Sequence, residues 1–166
     1  EIEDRQFPGH WEGDLIKGEG NASAVGTLVE RTSRLVMLVK LPQFKPASAA
    51  NVLQAFTDKL LGIAQPMRLS MTYDQGREMS MHKKLSEQTG IAVYFCDPHS
   101  PWQRGSNENM NGLVRQYLPK GTDLSIYSQE QLDAIADEIN NRPRKGLGVR
   151  SPLSVYRELL IVASRM

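Results

Sequence analysis

The alternation of apolar and polar residues near the start of the chain predicts three β-strands. Residues 10–17 alternate with the two-residue period of a strand, which puts Asp14 on the face opposite to Trp11. Residues 24–31 and 35–41 are rich in β-forming side chains, and the short polar link between them predicts a hairpin. Three strands that follow one another in this way predict an antiparallel meander.

Further along the chain, helical and strand-like patterns alternate. Apolar residues recur at helical spacing over 47–61, and a weaker helical pattern covers 80–88. Short apolar runs at 68–73 and 91–95 predict two more strands. A loop rich in proline and glycine then precedes a predicted helix at 106–118.

Two capping signals mark the last predicted helices. Ser128 with Gln131 forms a capping box, and Ser151 followed by Pro152 is a second N-terminal cap. The predicted order of elements is three strands, then helix, strand, helix and strand, then three helices. This order indicates an α/β domain with five strands.

Composition and charge narrow the class of protein. The 166 residues are 40% hydrophobic, which fits a single globular domain, and no apolar run approaches the roughly 20 residues of a membrane span. One cysteine, Cys96, cannot form an internal disulfide, which favours a reducing cytoplasm. The N-terminus has no apolar signal region. Because the chain starts abruptly and without Met, we interpret residues 1–166 as a fragment of a longer chain.

The net charge of +1 neither requires nor excludes a nucleic acid partner, but the cations are unevenly distributed. The segment 140–157 contains no acid and carries five cations: Arg142, Arg144, Lys145, Arg150 and Arg157. Such a cluster can neutralise phosphates. A solvated basic tail is the equally plain alternative.

Three acids on separate elements are candidate metal ligands. Asp14 lies in the middle of a predicted strand, where Asp is depleted, and Asp74 directly follows the predicted strand 68–73. Glu108 lies on the polar side of the helix 106–118 with Asn111, Gly112 and Arg115, a side that we expect to avoid the core. A turn-forming role for Asp74 and a solvated helix face for Glu108 are the structural alternatives.

Carboxylates from separate elements suit Mg²⁺ or Mn²⁺ rather than zinc. Two such ions can clamp the attacking and leaving oxygens of a phosphoryl displacement. The residues alone do not single out these three acids, since Glu12, Glu30 or Asp97 can be arranged in a similar way.

Four segments resemble motifs of one family, in the same order. They are GHWEGD at 9–14, TYDQGRE at 72–78, the run 94–123 that contains PWQRGSNEN, and NNRPRK at 140–145. Together with the 33 residues between Asp74 and Glu108, they resemble the insertion-sequence-thirty family of bacterial transposases. One departure is Gln75, where many members of that family have Asn.

The resemblance implies a ribonuclease-H-like fold, with a mixed five-stranded sheet of three antiparallel strands and two further strands, flanked by helices. It implies an integrase-type catalytic core over residues 1–166, without the family's upstream helix-turn-helix region. Asp14, Asp74 and Glu108 are then catalytic and hold two Mg²⁺ ions, with Asp14 bridging them, and Mn²⁺ can substitute. The implied activity is DNA strand cleavage followed by strand transfer.

Seven further residues are interpreted as candidate contacts to double-stranded DNA: Trp102, Arg104, Asn111, Arg115, Arg142, Arg144 and Lys145. The implied partners are transposon-end and target DNA, bound by a homo-oligomer in the bacterial cytoplasm at the nucleoid, with no membrane partner. Two other functions remain as alternatives: a ribonuclease-H-type nuclease acting on RNA–DNA hybrids, and a catalytically silent DNA-binding module.

Overall fold

The computed structural model describes residues 7–41, 49–73, 82–95 and 105–165. Its five strands are β1 His10–Lys17, β2 Ala24–Glu30, β3 Val36–Lys40, β4 Ser70–Tyr73 and β5 Ala92–Phe95. They form one sheet in the order β3-β2-β1-β4-β5. Strands β1, β2 and β3 are antiparallel neighbours, whereas β4 runs parallel to both β1 and β5. The predicted meander and mixed five-stranded sheet are therefore confirmed.

Five α-helices accompany the sheet: α1 Ala49–Leu61, α2 His82–Thr89, α3 Gly105–Val114, α4 Gln129–Asn140 and α5 Pro152–Ser164. Side chains of α1, α2 and α5 pack in one hydrophobic cluster with one face of the sheet. Those of α3 and α4 pack in a second cluster with the other face. Both faces of the sheet are therefore covered. None of the helices within the described ranges is long and apolar enough to cross a membrane.

The strand β2 shows why the sheet needs helices on both sides. Every residue of β2 after Ala24 is buried, so Leu28 belongs to the first cluster and Val29 to the second. Such a near-continuous apolar run is typical of a central strand. Gly26 lets α1 approach closely, because a Cβ at this position would lie 2.9 Å from Cζ of Phe56.

The outer edge of β3 is covered by side-chain amides of α4. Asn140 accepts a hydrogen bond from the amide of Val36 (2.9 Å) and donates one to its carbonyl (2.9 Å). Gln129, at the other end of the helix, accepts from the amide of Lys40 (2.8 Å) and donates to the carbonyl of Leu38 (2.8 Å). Backbone groups that an edge strand would otherwise expose are thus satisfied within the domain.

Both predicted helix caps are present. The side chain of Ser128 accepts from the amide of Gln131, and the Gln131 side chain accepts from the amide of Ser128. Ser151 caps α5, with Pro152 at its first position. The helix α3 is shorter than predicted, because its last turn tightens: the amide of Gln116 bonds the carbonyl of Leu113, three residues back.

The predicted strand 68–73 begins two residues late, at Ser70. A single turn of 3-10 helix, Gln65–Met67, contains Pro66 and delays the start of the strand. The amide of Leu69 then bonds the carbonyl of Gly9, which brings this segment beside β1. The consequence is a precise register between β1 and β4, which matters for the site described next.

Candidate active site

The carboxylate of Asp14 accepts hydrogen bonds from its own strand and from α3. Its Oδ1 accepts from the backbone amide of Leu15 at 2.8 Å, and its Oδ2 accepts from Nδ2 of Asn111 at 3.1 Å. The side chain is partly buried in the middle of β1, on the sheet face that α3 and α4 cover. Because an ionised carboxylate only accepts hydrogen bonds, the nitrogen of the Asn111 amide must face it.

The register of the sheet brings the end of β4 beside Asp14. Tyr73, the last residue of β4, lies opposite Gly13 of the parallel strand β1. Asp74 is the next residue in the sequence and lies outside the described residues. The end of β4 therefore lies beside Gly13, the residue that precedes Asp14.

Glu108 lies in α3, three residues before Asn111, and its side chain is outside the described part of the chain. Residues three apart are neighbours on a helix surface. The hydrogen bond between Asn111 and Asp14 therefore brings the turn of α3 that carries Glu108 towards β1.

The apolar periodicity predicted that the polar side of α3 avoids the rest of the protein, but this side contacts β1. Arg115 donates from Nη2 to the carbonyl of Lys17 (3.0 Å) and from Nη1 to the carbonyl of Leu118 (3.3 Å), and burial lowers the pKa of its guanidinium. Asn111 and Arg115 thus fasten α3 to the second half of β1. Gly112 is exposed, with no described atom close enough to meet a Cβ. The apolar side is as predicted, with Met110 and Val114 buried.

The oxygen atoms of Asp14 and Asn111 are of the kind that ligate a hard divalent cation. Besides the carboxylate, the Oδ1 atom of Asn111 is buried and has no hydrogen-bond partner among the described contacts. Carboxylate and amide oxygens are ligands that Mg²⁺ and Mn²⁺ accept. Among the described side chains, no three His, Cys, Asp or Glu residues gather into a metal-binding group; Asp74 and the side chain of Glu108 are not among them.

Two of the rival acids are engaged elsewhere. Glu30 is buried and accepts from the amides of Gly9 (3.2 Å), Thr32 (3.2 Å) and Ser33 (2.8 Å) and from the Ser33 hydroxyl (2.7 Å). It therefore organises the turn between β2 and β3. Glu12, also buried, lies 3.5 Å from Nε of Arg31. Asp97 lies outside the described residues.

The residues predicted to contact DNA occupy different surroundings. Trp102 and Arg104 lie outside the described residues, whereas Asn111 and Arg115 bond β1. Arg142 is exposed, 5.5 Å from the ring centroid of Tyr117, and donates to its hydroxyl (2.6 Å).

The other two cations of this cluster follow Arg142 in the loop between α4 and α5. Arg144 is partly buried and Lys145 is exposed. Sequence reasoning missed a further cation, Arg34, which contacts this loop at Gly146. In the sequence, Arg34 is only a basic residue in a predicted turn, and such residues are too common to indicate a binding site.

Residues 4–101 match the integrase core domain family. The chain is 65% identical over 160 residues to the transposase for insertion sequence element IS1086 of Cupriavidus metallidurans, covering 96% of this chain and 46% of the relative. It is 48% identical over 154 residues to transposase InsI for insertion sequence element IS30A of Escherichia coli, covering 93% and 39% respectively. The chain thus spans less than half the length of these curated relatives.

The fold is shared with a solved integrase core. The crystal structure of the catalytic core domain of BIV integrase superposes with a TM-score of 0.62, covering 90% of this chain and 94% of that chain at 20% identity. The predicted ribonuclease-H-like fold is thereby confirmed. The predicted resemblance to insertion-sequence-thirty transposases is confirmed by these similarities, and the chain belongs to the integrase core domain family.

Proposed function

We propose that this chain is the metal-dependent catalytic core of a DNA transposase. It cleaves one strand at the end of an insertion sequence and joins the resulting 3′-hydroxyl to target DNA. The observation that carries this proposal is the hydrogen bond between Asn111 and Asp14, which fixes the helix of Glu108 against the strand of Asp14. The names of the similar transposases support the same activity.

Asp14, Asp74 and Glu108 would hold two Mg²⁺ ions, for which Mn²⁺ could substitute. When bound, such a pair supplies positive charge at the attacking and leaving oxygens of a phosphoryl transfer. The protein's own contribution is positioning. Leu15 and Asn111 orient the Asp14 carboxylate, and Arg115 ties α3 to the carbonyl of Lys17.

Double-stranded DNA of the transposon end and of the target is the proposed substrate. Trp102, Arg104, Arg142, Arg144 and Lys145 are proposed DNA contacts. The hydrogen bonds of Asn111 and Arg115 to β1 support a positioning role for these two residues in place of the predicted DNA contact. We further propose that the chain acts as a homo-oligomer on DNA, within a longer protein in the bacterial cytoplasm.

Substitution of the three acids tests the proposal. With transposon-end duplex and Mg²⁺ or Mn²⁺, we expect Asp14→Asn, Asp74→Asn and Glu108→Gln each to abolish cleavage and strand transfer while the melting temperature is retained. The exposed Glu87 of α2 supplies the matched control, Glu87→Gln, which should remain active. Full activity of any of the three variants removes that residue from the site.

Two additional measurements separate the alternative functions. Preferential cleavage of an RNA–DNA hybrid over transposon-end duplex would favour a ribonuclease-H-type nuclease. Absence of Mg²⁺ and Mn²⁺ binding in calorimetry, even with DNA present, would favour a catalytically silent DNA-binding module.

A further inference from the structure

Arg34 and the loop that carries Arg144 are distant in the sequence but lie in contact at one end of the sheet. Arg34 belongs to the turn between β2 and β3, and Arg144 to the loop between α4 and α5. The guanidinium of Arg34 rests on Gly146, where a Cβ would lie 2.9 Å from its Cζ and 3.0 Å from its Nη2. Burial first, and the positive charge of Arg34 second, lower the pKa of Arg144.

Both arginines are held by their backbones. Arg34 has a φ of 64°, a conformation that residues with a Cβ seldom adopt, and its amide bonds the carbonyl of Glu30 (2.7 Å). The amide of Arg144 bonds the carbonyl of Arg150 (2.9 Å), and its carbonyl accepts from Leu147 (3.0 Å) and Val149 (2.9 Å). The two side chains therefore start from fixed backbone positions.

No acid neutralises this pair within the described part of the chain. The nearby carboxylates have other partners: Glu30 accepts four hydrogen bonds from the turn and from Gly9, Glu12 pairs with Arg31, and Glu158 pairs with Arg150 at 2.8 Å. The Nη1 atom of Arg144 is buried and has no hydrogen-bond partner among the described contacts. Two positive charges on neighbouring segments and one unused donor thus lack a counter-charge among the described contacts.

An anion between the two guanidiniums would supply what is missing. Adjacent like charges disfavour each other, and an unsatisfied buried donor carries a desolvation penalty. The planar fork of arginine matches the oxygens of a phosphate. The exposed neighbours Arg142 and Lys145 add positive charge on the same loop.

We propose that Arg34 and Arg144 together hold one phosphate of duplex DNA, away from the reacting phosphate. This inference rests on the proposed function, because that function supplies the DNA. The amide of Arg31 bonds the carbonyl of His10, so the turn that carries Arg34 lies at the start of β1. Asp14 is four residues further along, about 13 Å at roughly 3.3 Å per residue. The pair therefore anchors the duplex and takes no part in bond breaking.

The salt dependence of binding to a short fluorescent duplex, measured without divalent metal, tests the pair. We expect Arg34→Gln and Arg144→Gln each to reduce the slope of log K against log salt by about 0.9, the contribution of one phosphate contact. The double variant should lose no more than either single variant, since one phosphate is shared. Gly146→Ala should produce the same loss at unchanged charge, because its Cβ displaces Arg34.

The exposed Lys84 of α2 provides a matched control, and Lys84→Gln should leave the slope unchanged. Melting temperatures should confirm that all variants are folded. Unchanged slopes in Arg34→Gln and Arg144→Gln would overturn the inference, as would a double variant that loses two phosphate contacts.

Catalysis separates this inference from the proposed function. At saturating DNA, Arg34→Gln should cleave at the wild-type rate, whereas Asp14→Asn should bind with the wild-type slope and not cleave. An active Asp14→Asn variant contradicts the catalytic proposal and leaves the slope measurement to decide on the arginine pair. A cleavage rate of Arg34→Gln that stays low at saturating DNA contradicts an anchoring role.

Discussion

Asn111 of α3 and Asp14 of β1 are joined by a hydrogen bond of 3.1 Å between Nδ2 and Oδ2. Since Oδ1 of Asp14 also accepts from the amide of Leu15, both carboxylate oxygens have a fixed donor. The other polar atom of the Asn111 amide, Oδ1, is buried without a described partner. One side chain thus orients the acid and keeps a buried oxygen unpaired.

Loss of the Asn111 amide should weaken the site without unfolding the protein. We expect Asn111→Ala to lower cleavage about 10- to 100-fold, the usual effect of removing a group that orients a metal ligand. The activity should also need a higher Mn²⁺ or Mg²⁺ concentration, which a purely structural defect would not cause. Asn109→Ala, on the exposed side of the same helix, is the control. An unchanged metal dependence in Asn111→Ala would argue against the orienting role.

The amide of Asn140 should contribute strongly to stability. It is 5% exposed and bonds both the amide and the carbonyl of Val36. Asn140→Leu leaves two buried backbone groups unpaired, at about 1–3 kcal/mol each. We therefore expect the free energy of unfolding to fall by about 2–6 kcal/mol in urea denaturation. Asn141→Ala, at the next and exposed position, should change it much less; equal losses would contradict this account.

Replacement of the buried Glu30 carboxylate by the corresponding side-chain amide should destabilise the protein. The Oε2 atom of Glu30 accepts from Gly9 and Thr32, and the Oε1 atom accepts twice from Ser33. In Glu30→Gln, one oxygen becomes an NH₂ group that faces donors, so some of these bonds are lost. We expect a destabilisation of about 1–3 kcal/mol, measured by chemical denaturation against Glu87→Gln. A fully stable variant would show that the turn does not depend on the carboxylate.

Stability at high pH should depend on Tyr156. Burial, and to a smaller extent the Glu30 carboxylate, raise the pKa of Tyr156 to about 12, above the value of about 10 in an unfolded chain. The folded state therefore keeps the proton longer, so the contribution is complete below pH of about 10 and is lost as the pH rises towards about 12.

Tyr156→Phe should show a smaller loss of stability across that pH range, while its ring can still contact Trp11 edge-on at 6.2 Å. Denaturation curves at several alkaline pH values, followed together with tyrosinate absorbance, measure both effects. Identical pH profiles for the two proteins would rule out this contribution.

Patterns that are local in sequence predicted most of the fold. The alternation at 10–17, the hairpin before β3 and the capping box at Ser128 depend on neighbouring residues, and all three are present. The limits of elements were less predictable. Pro66 starts a 3-10 turn that shortens β4, and the tightened turn at Gln116 shortens α3.

Contacts between distant residues were beyond sequence reasoning. Apolar periodicity correctly identified the buried side of α3. It assigned Asn111 and Arg115 to solvent, because a pattern of apolar residues does not detect polar side chains that hydrogen-bond to a strand. Their partners, Asp14 and Lys17, are 97 and 98 residues away. The three-acid set itself rests on motif resemblance, and Asp74 and the Glu108 side chain lie outside the described residues.

The amides of Asn140 and Gln129 have a consequence for assembly. Strand addition from another molecule needs unpaired backbone groups at a sheet border. On the β3 side, the amides of Val36 and Lys40 and the carbonyls of Val36 and Leu38 are already bonded to α4. An incoming chain would have to detach that helix first. The proposed assembly of copies on DNA would therefore not use strand addition at the β3 border.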